Sequence, residues 1–266
     1  MTGLADSIES VEQLASGWLP IVLDRNPDAD VRDLPGISIR WADSPFPFWN
    51  TVALTDIGAD PELTRRRLNQ AAEVMRAKER PGSLLVFEDL LDGDARTALP
   101  IIAGQAGLEL SSSGVGMAGD LLPITEPAHP DLTFVRVSTG AHVEAYADLN
   151  ARAHGFPEEA ARAGFTGSAL WTSEIRAYLG LRDGVPVTCA GTVEADGRLF
   201  VVAVATDPAW QRRGYAEAVT RKALYEGGEA TGLTRATLHA TAAGAPVYTR
   251  IGFKPNSPIG FYSLKG

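Results

Sequence analysis

The chain has 266 residues, 45% of them apolar and 21% charged, with a formal net charge of −9, a globular composition with material for one large or two ordinary domains. The negative balance argues against a nucleic-acid partner, because phosphate backbones recruit basic faces. The lone cysteine, Cys189, cannot staple a fold; the opening residues, with Asp6, Glu9 and Glu12, lack a basic-then-apolar leader, and no apolar run approaches the ~20 residues of a membrane span, so the cytoplasm is the expected compartment and no membrane partner is expected.

In chain order, residues 7–18 are expected to be helical, 37–41 a strand and 51–54 a second apolar segment. Residues 61–78 carry Leu63, Leu68, Ala71, Ala72 and Met75 near helical spacing, with Pro61 suited to the first turn. Residues 83–87 read as a strongly apolar strand. Thr64-Arg65-Arg66-Arg67 has no adjacent glycine and reads as a solvated basic face. Residues 121–132, with Pro123, Pro127 and Pro130, have the composition of a linker. The expected division is therefore a domain over 1–120, a linker over 121–132 and a domain over 133–266.

The second part is the more legible. Residues 133–137 read as a strand and 142–153 as a helix. Strands follow over 178–182, 185–194 and 199–206, the first two joined at Asp183-Gly184, a hairpin signal. The 199–206 strand is apolar on both faces and so belongs in the middle of a covered sheet. A helix follows, with Ala216, Val219, Ala223, Gly227 and Ala230 at intervals of three and four. Residues 235–241 form a strand, Tyr248 lies in a short helix closed by Gly252, and the chain ends in a strand near 260–264. Cys189, in the middle of a strand, reads as a small core residue.

The chemistry concentrates where the apolar strand runs out at Thr206 and Asp207-Pro208 stops it. Gln211-Arg212-Arg213-Gly214-Tyr215-Ala216 then turns into a helix. A loop entering a helix leaves backbone N–H groups unpaired, and with the helix dipole these favour an anion. Gly214 removes a side chain where a phosphate approaches and takes a positive φ without strain. Ala216 is small for the same reason, and Arg212 and Arg213 add charge. No Gly-Lys-Ser/Thr follows, so a P-loop does not fit, and one glycine stands where a dinucleotide turn expects three.

This stretch resembles the pyrophosphate motif of the GNAT acetyltransferase superfamily, Q/R-x-x-G-x-G/A. Tyr248-Thr-Arg-Ile-Gly252-Phe253 resembles that family's second signature, and the two occur in the family's order, covering about residues 133–266. The resemblance implies an α/β fold with a mixed central sheet flanked by helices. It also implies a bulged strand splayed from its neighbour, whose backbone at Val204, Ala205 and Thr206 pairs with the pantetheine arm of coenzyme A. Where the family commonly has an asparagine, seven residues before the tyrosine, this chain has Thr241, so a cofactor contact there is altered. In the first part, Ala106-Gly107-Leu108 followed by Gly116-Met117-Ala118-Gly119-Asp120-Leu121 echoes Ile251-Gly252-Phe253 followed by Gly260-Phe261-Tyr262-Ser263-Leu264. That echo points to a degenerate GNAT-like domain over 1–120, as in tandem members of the superfamily.

The expected function is N-acetyl transfer from acetyl-coenzyme A to an amine, that of a small molecule. The cofactor-binding set is Val204, Ala205, Thr206, Gln211, Arg212, Arg213, Gly214, Tyr215, Ala216 and Thr241. The leaving group is a thiolate whose parent thiol has a pKa near ~8.5 on a cysteine scale, and a phenol at ~10 can hydrogen-bond or protonate it; Tyr248 is the residue for that role. Glu194, His239 and a water chain stay open as the route for the amine proton. Phe165, Trp171 and Glu174, in the segment 150–174, are expected to line the acceptor pocket, whereas Glu158 and Glu159 read as a solvated helix face. The four histidines, His129, His142, His154 and His239, show no metal-ligand spacing. Two rivals remain: a sensor that binds acyl-coenzyme A without turnover, and a transferase for a protein N-terminus or a longer acyl group. The reading leaves room for a homodimer.

Overall fold

A computed structural model describes residues 2–121 and 124–266. Leu122 and Pro123, within the expected linker, lie outside the described residues. The chain forms two compact units. One comprises Met1–Met117, His239–Ala245 and Pro255–Gly266; the other comprises Ala118–Leu238 and Pro246–Lys254. This differs from the division expected at 121–132, because the last strand of the chain groups with the first unit.

The first unit contains α1 (Thr2–Arg25), β1 (Asp30–Leu34), β2 (Ile37–Trp41), β3 (Asn50–Leu54), α2 (Pro61–Arg76), β4 (Ser83–Phe87), α3 (Gly93–Gln105) and most of β5 (Leu108–Asp120). The second contains β6 (Thr133–Arg136), α4 (Gly140–His154), α5 (Glu158–Phe165), β7 (Tyr178–Arg182), β8 (Val185–Ala195), β9 (Arg198–Thr206), α6 (Tyr215–Thr231), most of β10 (Arg235–Thr241) and most of α7 (Ala245–Ile251). The final strand is β11 (Lys254–Leu264). Strand order in the first unit is β1-β2-β3-β4-β11-β5, and in the second β10-β9-β8-β7-β6. β11 runs antiparallel to β4, with Ile259 opposite Phe87 and Tyr262 opposite Leu84. That pairing is what draws the C-terminus into the first unit.

Both units follow one plan. In the first, β1, β2 and β3 are antiparallel, α2 crosses over, β4 lies parallel to β3 and α3 follows. In the second, β7, β8 and β9 are antiparallel, α6 crosses over, β10 lies parallel to β9 and α7 follows. A parallel pair cannot be joined by a tight turn, so the crossover helix is obligatory. The plan repeats without the sequence repeating, which is the two-domain arrangement the short C-terminal echo points to.

Local chemistry explains the second unit's hairpins. Asp183 and Gly184 both take positive φ, 50° and 78°, as do Asp196 and Gly197, 50° and 68°; this is the left-handed pair that closes a two-residue hairpin. β9 packs against α4 and α6, which is why its sequence is apolar on both faces. In the first unit a core built on Ile37, Ile39, Val52, Leu84, Val86 and Leu68 joins α2 and α3 to the sheet. Of the basic run on α2, Arg65 pairs with Glu62 and Arg67 with Asp56.

His239, one of the residues open as a base, lies in the first unit. Its Nε2 is 3.1 Å from the Ser10 carbonyl and its ring meets Phe87 edge-on at 5.6 Å. Burial pushes its pKa down to about 4, against the opposing pull of the Ser10 carbonyl. It is therefore a neutral packing residue. An unfolded histidine titrates near ~6.5, so the unfolded chain takes up the proton first. Stability from this group is complete above that value and is lost as pH falls toward 4, by up to about 3 kcal/mol. Urea titrations at pH 7 and pH 4.5 should show that loss, and His239→Gln should flatten the pH dependence. A variant with the same acid sensitivity as the parent assigns the sensitivity to other groups.

Candidate functional site

The site is assembled within the second unit, where β9 ends and α6 begins. Asp207 closes the strand: its N–H bonds the Val187 carbonyl at 3.0 Å, and its carboxylate accepts from Ala209 N–H at 3.0 Å and from Arg152 at 2.7 Å. A single 3-10 turn, Pro208–Trp210, leads into Gln211. Gln211 is exposed, and its amide donates to the Thr206 carbonyl at 3.4 Å. Arg212 takes a positive φ of 64° and Gly214 one of 82°. These two residues reverse the chain so that α6 starts with its amides facing outward.

The start of α6 differs chemically from those of α2, α3 and α4. Asp60, Asp92 and Thr139 each accept a backbone N–H at the N-termini of α2, α3 and α4. Gly214 has no side chain to do so, which leaves the first-turn amides to an external acceptor. The contrast with α2 is telling, because α2 holds the same place in the first unit's plan. There the Asp60 carboxylate accepts from Leu63 at 2.7 Å and occupies the position an anion would take.

A groove of about 670 Å³ opens over this turn, within the range of small-molecule sites. Gly214, Glu217, Ala218 and Arg221 line it from α6, and Ile251 from α7. The opposite wall is Leu121 and the residues from Ile124 to His129, which fall within the expected linker. His129 packs edge-on to Tyr215 at 5.2 Å. Tyr215 is buried; its hydroxyl accepts from Arg182 at 2.7 Å and donates to Asp131 at 3.4 Å. Its side chain therefore anchors the turn.

Electrostatics favour an anion despite two glutamates nearby. Glu217 bonds Arg250 at 2.8 Å and Arg221 at 3.1 Å. Against the upward push of burial, these two guanidinium groups hold its carboxyl below the usual range. Glu126 pairs with Lys222 at 3.3 Å. Arg212 and Arg213 are exposed, and Arg213 and Arg182 lie over the Trp210 ring at 5.1 and 5.2 Å. Ala216 is half-buried, and its small side chain keeps the first turn open.

β9 carries the second half of the site. Its register with β8 runs Thr188↔Thr206, Cys189↔Ala205 and then Gly191↔Val202, so Ala203 and Val204 stand opposite one residue. This is a bulge, and Ala203 takes a positive φ of 48° within it. β9 is in register with β10 at Leu199↔Ala236 and Phe200↔Thr237; no register between them continues beyond Phe200 among the described residues. Val204, Ala205 and Thr206, the stretch to which the resemblance points, lie beyond that register.

Three side chains spaced four apart on α4 meet the bulge. The Tyr146 hydroxyl donates to the Val202 carbonyl at 3.3 Å, the Asn150 amide to the Ala203 carbonyl at 3.3 Å, and the His154 imidazole hydrogen-bonds the Val204 backbone. Burial lowers the His154 pKa, with the Val204 bond opposing. Beside them sits Cys189, fully buried, its thiol 3.8 Å from the Ala203 carbonyl and pushed up by burial. Sequence reasoning did not single out Tyr146 or Asn150, and it weighed His154 as a metal ligand; their common spacing on one helix face was the available signal.

Tyr248 lies on α7, with its ring edge-on to Phe253 at 6.1 Å. Burial first, and the neighbouring Cys189 thiol second, push its phenol well above the ordinary value. The phenol is therefore a hydrogen-bond donor at any ordinary pH. Other expected site residues have local surroundings of their own. Thr241 groups with the first unit, is exposed, and its hydroxyl accepts from Gly244 N–H at 3.2 Å, so it closes its own turn. Glu194 is exposed at the Asp196-Gly197 hairpin, opposite Leu199 and away from the bulge. Phe165 and Trp171 pack on each other at 4.6 Å and on Tyr146, forming core and not pocket wall, while Glu174 is exposed. Among the described residues no group of His, Cys, Asp and Glu could hold a metal ion, and no helix is long and apolar enough to cross a membrane.

Residues 142–253 match the family model for the acetyltransferase (GNAT) family. A solved GCN5-related N-acetyltransferase from Kribbella flavida superposes with a TM-score of 0.70 at 20% identity, covering 100% of this chain and 97% of that one. One from Sphaerobacter thermophilus gives 0.57 at 15% identity, covering 86% of this chain and 76% of that one. A tandem GNAT protein from the clavulanic acid biosynthesis pathway gives 0.52 at 14% identity, covering 80% and 74%. At such identities the likeness is one of fold. No curated protein matches the sequence.

Proposed function

We propose, from the premise that residues 142–253 are a domain of the acetyltransferase (GNAT) family, a family of acyl-coenzyme-A-dependent acyltransferases, that this chain transfers acetyl from acetyl-coenzyme A to the amine of a small molecule. The observation that carries this reading is the uncapped start of α6 at Gly214 beside the bulged end of β9. The first-turn amides and the arginines suit a pyrophosphate, and the backbone of Val204–Thr206 suits the amide-bearing arm of the donor. A neutral amine attacks the thioester carbonyl; the new C–N bond forms, the C–S bond breaks, the nitrogen sheds its proton and the sulfur gains one. Tyr248 donates its hydroxyl hydrogen bond to the departing sulfur. Orphaned negative charge on a thiolate in a buried slot is costly, so a donor there stabilises the transition state.

One observation favours the sensor reading as a second: a threonine, Thr241, whose hydroxyl accepts the Gly244 N–H of its own turn, stands where the family commonly has an asparagine. Both readings require a single coenzyme A site, because Asp60 closes the equivalent helix of the first unit. Calorimetric titration of the whole chain with coenzyme A is expected to give one site. Two sites of similar affinity would contradict the assignment. Release of free thiol from acetyl-coenzyme A, followed across a panel of amines, then separates enzyme from sensor.

A further inference from the structure

The bulge in β9 holds Ala203 in the left-handed region, φ 48°, which is disfavoured for any residue with a Cβ. Such a conformation persists only where its surroundings impose it. Here the imposing groups are the α4 side chains, and Asn150 is the middle one. Its side-chain nitrogen reaches the Ala203 carbonyl at 3.3 Å and the Tyr146 carbonyl at 3.0 Å, and lies 3.5 Å from the Cys189 sulfur. Asn150 is fully buried, yet its side-chain oxygen has no hydrogen-bond partner among the described residues. A buried amide that is only half satisfied is a poor device for stability alone. Its donors, by contrast, go where the strained residue needs them.

We propose that Asn150 is a positioning residue, which holds Ala203 left-handed and so aims the backbone of Val204–Thr206 at the pantetheine arm of the acyl donor. This rests on the coenzyme A reading above. Tyr146 and His154 brace the carbonyl before and the residue after. Asn150 touches neither donor nor acceptor and acts through the strand.

The test needs no identified acceptor. Coenzyme A and ADP are titrated calorimetrically into the whole chain, since ADP carries a pyrophosphate but no pantetheine arm. Asn150→Ala is expected to weaken coenzyme A about tenfold and leave ADP unchanged, because the left-handed alanine relaxes once its tether is gone. Adding Ala203→Gly is expected to restore coenzyme A affinity, because glycine takes the positive φ without a tether. A merely structural role for Asn150 would not be rescued at Ala203. Equal weakening of both ligands, unchanged coenzyme A affinity in a folded variant, or no restoration by glycine overturns the proposal. If Asn150→Ala does not fold, Tyr146→Phe keeps the ring packing and removes the hydroxyl that bonds the Val202 carbonyl and meets the Cys189 thiol. It should then weaken coenzyme A relative to ADP, and its failure to do so overturns the proposal equally. A parent chain that binds neither ligand overturns the coenzyme A reading itself, and is recognised before any variant is compared.

Discussion

Tyr248→Phe is expected to lower turnover by about 10²–10⁴-fold, the range typical of a lost general acid, with the affinity for acetyl-coenzyme A little changed. The substitution removes one hydroxyl and keeps the ring that packs edge-on to Phe253. Burial keeps the parent phenol protonated well beyond the pH at which a free tyrosine ionises, so the donor is present throughout the working range. Steady-state rates and calorimetric affinities on the same preparations decide the matter. Unchanged turnover on the true acceptor makes Tyr248 a packing residue. Equal losses in affinity and turnover make its role one of shape.

Gly214→Glu is expected to weaken coenzyme A by roughly 100-fold or more. Hydrogen bonds to charged groups contribute about 1.5–3 kcal/mol each, and the new carboxylate would both repel the pyrophosphate and compete for the amides that bind it. Space is available for the side chain: a Cβ at Gly214 would meet nothing nearer than the His129 Nε2 at 3.8 Å. The fold should therefore survive, at a cost of about 1–2 kcal/mol for the positive φ. Gly214→Ala separates the two effects, since it brings the backbone strain without the charge and should cost much less affinity. A folded Gly214→Glu protein with parental affinity means that the pyrophosphate lies elsewhere.

The elements legible in the sequence were those whose signal is local. The Asp183-Gly184 turn marked the hairpin of β7 and β8, the double apolar face identified β9, and a glycine between an arginine pair and an apolar helix marked the start of α6. Elements that depend on distant partners were hidden. α3 contains Pro100, which weighs against a helix on propensity alone. β1 is a polar edge strand that only its pairing with β2 defines. The connecting segment was legible as proline-rich but not as a wall of the groove. The spacing of Tyr146, Asn150 and His154 is plain in the sequence, yet its meaning depends on a bulge that no local pattern announces. Thr241 was assigned by position in a motif, and its hydrogen bond to the Gly244 N–H is a local contact that the motif does not announce.

The place of β11 sets the order in which this protein can be made. Its partner β4 ends at Phe87, and β11 begins at Lys254, so the sheet that starts first in synthesis is finished last. Chains emerge at about 5–20 residues per second, and domains ordinarily fold as they appear. Here β4 waits many seconds with an unpaired apolar edge, the kind of surface that invites association with other chains. The nascent first unit is thus expected to keep an unpaired edge until β11 has emerged, by which point most of what builds the groove is already outside.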